Sequence, residues 1–363
     1  MICMDHGATS FPKPPSVIRA VERTMRSCAN PGRGGYEAAR NADRTVYGCR
    51  EEAAALFGCL PEQVVFTMNC THGLNMAIRS AVRPKMKVAV SGFEHNAVMR
   101  PLYALGADIR VCGRRLFDRE DTLRDFRAAL DAGAEAVVCT HVSNVFGYIL
   151  PLEQIAGLCR ERGAKLIVDA AQSAGTLPLD MDALGADFIA MPGHKGLLGP
   201  QGTGLLLCKD GAEPLLYGGT GTASKEKGMP QELPERLEAG TLNVAGIGGL
   251  REGLRLVRRM GPDALFRREH QAVREAVRIL EGRGFRVFSG PHQAATVSFL
   301  PDISCEGFGE RLAARGIAVR AGFHCAPLAH ESAGTLETGT VRLSFGWDTE
   351  PAHLKALERA LRP

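Results

Sequence analysis

The stretch at residues 187–204, DFIAMPGHKGLLGPQGTG, joins a short apolar run to a glycine-rich segment that contains a histidine and a lysine. The length and composition of the apolar run are typical of a buried β-strand. A lysine placed just after such a strand is either an ordinary surface cation or an amine held for covalent chemistry. Other motifs in the sequence distinguish between these two interpretations.

Similar apolar runs recur through the first two thirds of the chain and alternate with helix-like stretches. The predicted strands are QVVFTM, KVAVSG, DIRVCG, AVVCTHVS, KLIVDAA and DFIAMPG. The predicted helices between them are THGLNMAIRSAV, NAVMRPLYALG, TLRDFRAALDAG and LEQIAGLCRERG, and several of them end at glycine. This alternation predicts an α/β fold with a mostly parallel sheet and helices on both of its faces.

The last third of the chain predicts a second, smaller α/β unit. A charged helical pattern runs over residues 247–283, and the strand-like runs RVFSG, ATVSFLP, IAVRAG and TVRLSFG follow it. The 363 residues are also too many for one ordinary core. We expect a large domain over residues 15–245 and a small domain made of residues 1–14 and 246–363. The polar segment 218–235 is predicted to be a loop or mobile hairpin.

Composition excludes several classes of protein. Hydrophobic residues make up 45% and charged residues 23%, as in soluble globular proteins, and the net charge of +4 gives no case for a nucleic-acid partner. No apolar run is long enough for a membrane span, and MICMDHGATSF does not resemble a signal peptide. The eleven cysteines include no CxxC pair. We therefore expect no metal site, no membrane partner and a reducing, cytoplasmic location.

Polar side chains follow the predicted strands, at the edge where ligands bind in open α/β sheets. These residues are Asn69, Cys70 and Thr71 after the first strand, His95 after the second, Asn144 after AVVCTHVS, Asp169 and Gln172 within KLIVDAAQ, and His194 and Lys195 after the last. We expect them to converge on one site.

These residue types suit pyridoxal phosphate. Backbone amides and hydroxyls at the helix start 69–71 would bind its phosphate. The Asp169 carboxylate would keep the pyridine nitrogen protonated, so that the ring can act as an electron sink. Asn144 and Gln172 would donate hydrogen bonds to the ring oxygen. The Lys195 amine, its pKa lowered by cationic and apolar surroundings, would bind the cofactor covalently.

With these motifs in place, the sequence resembles the class V, fold-type I pyridoxal-phosphate enzymes, and within them the cysteine desulfurases and selenocysteine lyases. The likeness covers nearly the whole chain. It is carried by MDHGATSFPKPPSV, GRGGYEAARNADRTVYGCREEAAALFG, FTMNCTHGLN, EHNAV, SNVFGYILPL, VDAAQSAG, GHKGLLGPQGTG, LEAGTLN, VRAGFHCAP and TVRLSFG. The resemblance implies a large cofactor-binding domain and a smaller C-terminal α/β domain.

The resemblance also implies roles for single residues. It implies that Lys195 carries the cofactor and that His95 stacks on the cofactor ring and takes part in proton transfers. It implies that Asp169 pairs with the pyridine nitrogen and that Gln172 faces the ring hydroxyl. Asn144 is expected to lie near the ring and the substrate. It implies further that Thr71 and His194 bind the phosphate and that Thr241 reaches the phosphate of a neighbouring subunit, since these enzymes are dimers with shared sites.

Cys325, in RAGFHCA, is the residue that the resemblance ties to sulfur transfer. In the family a cysteine at this position takes sulfur from the substrate and becomes a persulfide. A nearby cation, such as His324 or Arg320, would favour the thiolate that this attack needs. The resemblance implies that Arg342 binds the substrate carboxylate as a bidentate partner. Arg320, Asn144 and Ala8 complete the expected substrate site.

The leading hypothesis is a homodimeric cysteine desulfurase that converts L-cysteine to L-alanine and passes sulfur from Cys325 to an acceptor protein or thiol. One alternative is a selenocysteine lyase, or another C–S lyase for a β-substituted amino acid, that need not depend on Cys325. Others are a class V aminotransferase or epimerase, and an inactive scaffold that binds a sulfur-transfer partner.

Overall fold

The computed structural model describes residues 1–32, 34–222 and 224–362. The helices are α1 (Pro15–Ser27), α2 (Glu37–Phe57), α3 (Cys70–Ala81), α4 (Asn96–Leu105), α5 (Arg119–Asp131), α6 (Leu152–Arg162), α7 (Met181–Leu184), α8 (Val244–Met260), α9 (Pro262–Glu281), α10 (Cys305–Ala314), α11 (Pro327–Ala333) and α12 (Pro351–Ala360). The strands are β1 (Ile2–Cys3), β2 (Val64–Thr67), β3 (Lys87–Ser91), β4 (Asp108–Cys112), β5 (Ala136–Thr140), β6 (Lys165–Asp169), β7 (Phe188–Pro192), β8 (Gly204–Cys208), β9 (Arg286–Phe288), β10 (Thr296–Leu300), β11 (Ile317–Ala318), β12 (Arg320–Gly322) and β13 (Thr340–Ser344).

The large sheet has the strand order β2-β8-β7-β6-β5-β3-β4. Five neighbouring strands run parallel, in the spatial order β4, β3, β5, β6 and β7. Strand β8 is antiparallel to both β7 and β2. The predicted α/β fold with a mostly parallel sheet is therefore confirmed. The sequence prediction missed β8, whose apolar residues GLLLC follow directly on the glycine-rich stretch and are all buried.

A smaller antiparallel sheet, β12-β13-β10-β9, forms the second unit. The N-terminal strand β1 pairs with β11, and Asp5 forms a β-bridge with Ser344, the last residue of β13. Residues near the N-terminus thus pack with the C-terminal part of the chain, and the core there is built around Phe299 and Phe308. None of the helices in the described part of the chain has the length and apolar character needed to cross a membrane.

The helical pattern predicted over 247–283 forms two helices. Gly261, at a φ of 82°, and Pro262 separate α8 from α9, since a left-handed glycine followed by proline cannot continue a helix. Helix α8 packs against α1 and α2, whereas α9 packs against β9 and β10. The change from one core to the other therefore falls between these helices, and the domain boundary at residue 245 stays a prediction.

Helix α9 carries a buried carboxyl group that makes stability depend on pH. Glu269 is 6% exposed, and burial raises its pKa to about 8. In the unfolded chain this pKa is about 4.3, so between the two values only the folded protein holds the proton and stability falls as pH rises. The free energy of unfolding falls by at most about 5 kcal/mol because of this one group.

We expect Glu269→Gln to remove the part of the pH dependence of the unfolding free energy that Glu269 causes. Urea unfolding of the native chain and the variant at about pH 5 and about pH 8 measures it, because the linkage acts on the free energy of unfolding. Glu281→Gln, exposed on the same helix, is the matched control and should unfold like the native chain. Equal pH dependence in the native chain and Glu269→Gln would contradict the assignment.

Candidate active site

A cavity of about 110 Å³ lies where β2, β3, β5, β6 and β7 end. Its walls are formed by Asn69, Cys70, Thr71, His95, Ala97, Thr140, Val142, Asn144, Asp169, Ala171, Gln172, Pro192, His194 and Lys195. All the predicted cofactor-binding residues except Thr241 line this cavity. Sequence positions as far apart as 69 and 195 meet here because the strands that precede them end at one edge of the sheet.

The N-terminus of α3 forms one wall of the cavity. The Asn69 side chain caps the helix by accepting the His72 amide at 2.9 Å. The amides of Cys70 and Thr71, the first residues of the helix, have no intrahelical partner and are available to an anion. Gly204 allows this wall to form, because a Cβ there would lie 2.9 Å from the Asn69 carbonyl carbon.

Asp169, the last residue of β6, offers a carboxylate oxygen to the cavity. Its Oδ1 accepts the Ala171 amide at 2.9 Å and the Cys70 thiol at 3.4 Å. Its Oδ2 accepts no hydrogen bond from the described residues. Burial raises the pKa of Cys70 well above its usual value, so this residue is a neutral thiol that donates to Asp169.

The Lys195 amine has no hydrogen-bond partner in the described part of the chain. Burial lowers its pKa, and the nearby Arg342 guanidinium lowers it further, as the sequence predicted. The adjacent His194 has a buried Nδ1 that finds no hydrogen-bond partner among the residues described, and burial lowers the pKa of this imidazole to about 4. The His194 imidazole is therefore neutral at neutral pH, and the lowered pKa of Lys195 favours its neutral amine.

The N-terminal segment fixes the loop that carries Lys195. The Lys13 ammonium donates to the His194 carbonyl at 2.7 Å, and the Ser10 amide donates to the same oxygen at 3.0 Å. Lys13 was not among the predicted site residues, and its only signal was its place in MDHGATSFPK.

His95 caps α4 and its ring lines the cavity. Its Nδ1 accepts the Ala97 amide at 3.0 Å, which leaves the proton of the neutral ring on Nε2. Burial lowers the pKa of His95 and favours this neutral form. The preceding Glu94 accepts the Thr140 amide at 2.8 Å, and burial raises its pKa to about 8. Glu94, which the sequence analysis did not select, thus joins the ends of β3 and β5 beside His95.

Cys325 lies on a strained turn next to the cavity. Its φ is 57° and that of His324 is 51°, a left-handed conformation that is uncommon for residues other than glycine. Two hydrogen bonds hold the turn. The Asn144 side chain donates to the His324 carbonyl at 2.8 Å, and the Asn96 amide donates to the Cys325 carbonyl at 2.8 Å. The Cys325 side chain is exposed.

The expectation that His324 is a cation beside Cys325 is wrong. The imidazole is buried with its Nε2 3.1 Å from the Thr340 hydroxyl, and burial lowers its pKa to about 2. A neutral ring cannot favour a thiolate by its charge. Arg320 is half-exposed, and its guanidinium pairs with Asp5 at 2.9 Å.

Arg342, on β13, is buried and already has partners. Its Nη1 donates to the Asn144 carbonyl at 3.0 Å, and its Nη2 pairs with Asp5 at 2.7 Å. Its Nε is buried and has no partner within residues 1–32, 34–222 and 224–362. Ala8 lies beside this group, with its amide donating to the Asp5 carbonyl at 3.0 Å. The sequence analysis gave Asp5 no role.

Gln172 and Thr241 complete the predicted set. The Gln172 amide donates to the Gly7 carbonyl at 3.0 Å and so joins the N-terminal segment to the cavity wall. Thr241 does not line the cavity. It is exposed in a separate cleft with Thr220, Thr222 and the buried Arg50–Glu238 ion pair. Its predicted role belongs to a neighbouring subunit and stays a prediction.

The cavity fits pyridoxal phosphate by the chemistry of its donors. It combines free amides at a helix start, a buried carboxylate oxygen, an unpaired lysine amine and a neutral imidazole at His95. These are the groups needed for a phosphate, a protonated pyridine nitrogen and an aldehyde. The individual roles of the residues stay predictions.

Comparison with known proteins agrees with this geometry. The chain matches the family "Aminotransferase class-V" over residues 2–357. It is 31% identical to a probable cysteine desulfurase of Methanothermobacter thermautotrophicus, over 98% of this chain and 92% of the relative. It is 33% identical to a cysteine desulfurase of Synechococcus elongatus, over 100% of this chain and 60% of the relative.

Solved structures give the same result. The apo structure of a cysteine desulfurase from Thermococcus onnurineus is similar with a TM-score of 0.92 and 30% identity, covering 99% of this chain and 93% of that one. A cysteine desulfurase from Escherichia coli, solved in an S-sulfonic acid form, has a TM-score of 0.86 and 27% identity at the same coverage. The chain therefore belongs to the class-V aminotransferase family of pyridoxal-phosphate enzymes.

Proposed function

We propose that this chain is a cysteine desulfurase that converts L-cysteine to L-alanine and holds the sulfur on Cys325 as a persulfide. One observation carries the proposal. The turn with the exposed Cys325 is hydrogen-bonded to Asn144, which lines the cavity together with Lys195, and to Asn96, which directly follows the lining residue His95. The cysteine desulfurases among the relatives and solved structures support the same reading.

The residues around the cavity hold the cofactor in this proposal. The amides of Cys70 and Thr71 would bind the phosphate together with His194 Nδ1, and Asp169 Oδ2 would accept a hydrogen bond from the protonated pyridine nitrogen. His95, which lines the cavity, would lie against the ring. When bound, pyridoxal phosphate withdraws electrons from the substrate carbon next to the amino group.

The chain's own groups then act on L-cysteine. Arg342 binds the carboxylate. The Lys195 amine, in the neutral form that its lowered pKa favours, removes the α-proton, and His95, with its proton on Nε2, assists in the transfers. The Cys325 thiolate attacks the substrate sulfur, and the electron pair of the broken C–S bond goes to the β-carbon. The β-carbon takes up the proton that Cys325 lost on becoming a thiolate, passed on by His95, and Lys195 returns the α-proton to the α-carbon. Sulfur is bonded to Cys325, and the carbon skeleton leaves as alanine.

The proposal includes a homodimer and a sulfur acceptor. Thr241 is exposed and lies in a cleft apart from the cavity, which supports its use by a second copy of the chain. An acceptor protein or thiol would take the sulfur from Cys325, whose exposure and exposed neighbour Phe323 support such an encounter. We place the enzyme in the cytoplasm, because its eleven cysteines are all free.

The proposal is tested by measuring alanine and sulfide from L-cysteine, with pyridoxal phosphate and a reductant present. We expect equal amounts of alanine and sulfide over many turnovers. L-selenocysteine is assayed in parallel. Alanine from L-selenocysteine with none from L-cysteine would identify a selenocysteine lyase. Release of pyruvate or of a D-amino acid in place of L-alanine would identify a different reaction on the same scaffold.

A further inference from the structure

Asp5 forms an ion pair with Arg342, the arginine that the proposed function assigns to the substrate carboxylate. Its Oδ1 lies 2.7 Å from Arg342 Nη2, and its Oδ2 lies 2.9 Å from Arg320 Nη2. The Arg342 side chain is 3% exposed, the Asp5 side chain 18% and the Arg320 side chain 49%. A single carboxylate thus bridges one buried and one exposed guanidinium, and the three residues come from opposite ends of the chain.

The partners of Arg342 leave an incomplete binding edge. Nη1 donates to the Asn144 carbonyl and Nη2 to Asp5, while the buried Nε has no partner among the described residues. A carboxylate bound side-on to an arginine uses Nε together with Nη2. An incoming substrate carboxylate therefore finds one free donor and one donor that Asp5 already holds.

We propose that Asp5 is a resident carboxylate that holds Arg342 in the free enzyme and moves onto Arg320 alone when the substrate carboxylate binds. The proposal rests on the assignment of Arg342 to the substrate in the proposed function. Asp5 is then a positioning residue that lowers substrate affinity and keeps the buried Arg342 charge compensated in the empty site. Arg320 is the acceptor that makes the exchange possible.

Charge balance gives the class of ligand that this arrangement selects. Arg342 and Arg320 carry two positive charges and Asp5 one negative charge, so the cluster has a net charge of one. A single α-carboxylate neutralises it. Removal of the Asp5 charge leaves a buried, uncompensated guanidinium, which strongly favours binding of an anion.

The test measures the affinity of the holoenzyme for L-alanine, the product, by calorimetry, and the KM and kcat for L-cysteine. In Asp5→Asn, we expect the dissociation constant of L-alanine and the KM to fall about tenfold, with no rise in kcat. In Arg320→Gln, Asp5 has only Arg342 as partner, so the same two constants should rise. A purely structural role for Asp5 would weaken binding in both variants.

Two further variants separate the possible failures. Asp348→Asn, which removes the partner of His6 in the same N-terminal region, is the matched control and should bind L-alanine like the native enzyme. Arg342→Gln must lose affinity for L-alanine. Native affinity in Arg342→Gln would overturn the assignment of Arg342 in the proposed function. Loss in Arg342→Gln together with unchanged or weaker binding in Asp5→Asn would overturn the resident-carboxylate proposal alone.

If Asp5→Asn does not fold, the affinity of Arg320→Gln for L-alanine tests the proposed exchange of Asp5 between the two arginines. Arg320 is half-exposed, and its replacement leaves the buried pair of Asp5 and Arg342 intact. Unchanged affinity for L-alanine in Arg320→Gln would then contradict the exchange.

Discussion

Lys195→Ala will lose at least about a thousandfold in alanine formation from L-cysteine, because one amine serves both to bind the cofactor and to move the substrate proton. Removing it leaves the phosphate wall at α3 and the Asp169 carboxylate in place. The variant should therefore still bind pyridoxal phosphate, but without a covalent bond to the chain. Alanine formation and borohydride reduction followed by mass analysis of the peptide with residue 195 measure the two effects.

Lys165→Ala is a suitable control for this experiment. Lys165 is an exposed lysine at the start of β6, and it forms a surface ion pair with Asp187 at 2.7 Å. Pairs of this kind contribute at most about 1 kcal/mol to stability, so activity and cofactor attachment should match the native chain. Covalent attachment that survives Lys195→Ala would show that another amine binds the cofactor and would remove the basis of the assignment.

Much of the cavity could be read from the sequence, because of how parallel sheets are built. Asn69, His95, Asp169 and Lys195 each lie at the end of a strand or within a few residues of it. Parallel neighbouring strands end at one edge, so the pattern of apolar runs is enough to predict that these side chains converge. The same pattern missed β8, because a glycine-rich segment leads into its short apolar run.

Contacts between distant parts of the chain could not be predicted in this way. Asp5 and Arg342 are 337 positions apart, and Asn144 meets the His324 carbonyl over 180 positions. These pairs depend on how the N-terminal segment and the smaller sheet pack against the large one, which no local periodicity encodes.

Burial also reverses roles that sequence proximity suggests. His324 is next to Cys325 and was expected to be a cation, but its position behind the turn, against Thr340, keeps it neutral. The protonation state of a histidine depends on its tertiary surroundings, so a neighbouring position in the sequence does not determine it.

Cys325→Ala provides the sharpest separation between a desulfurase and a lyase. The proposed mechanism needs a thiolate to accept the substrate sulfur, and the other cysteines cannot replace it, because those nearest the cavity are buried. The Cys70 thiol donates a hydrogen bond to Asp169, and burial raises the pKa of Cys139 well above its usual value. Alanine and sulfide formation from L-cysteine should therefore fall at least about a hundredfold.

The same variant should keep most of its activity on L-selenocysteine, since selenium can leave without attack by a protein thiolate. The native chain, treated with L-cysteine and then alkylated, should show one added sulfur atom on the peptide with Cys325, and the variant should show none. Cys28→Ala, which changes a partly buried thiol at the C-terminal end of α1, should match the native chain in both assays. Undiminished alanine formation from L-cysteine in Cys325→Ala would mean that the sulfur leaves without a persulfide on Cys325. The strained turn at 324–325 would then need another explanation, because its geometry serves the reaction only if the thiolate has to reach the substrate sulfur.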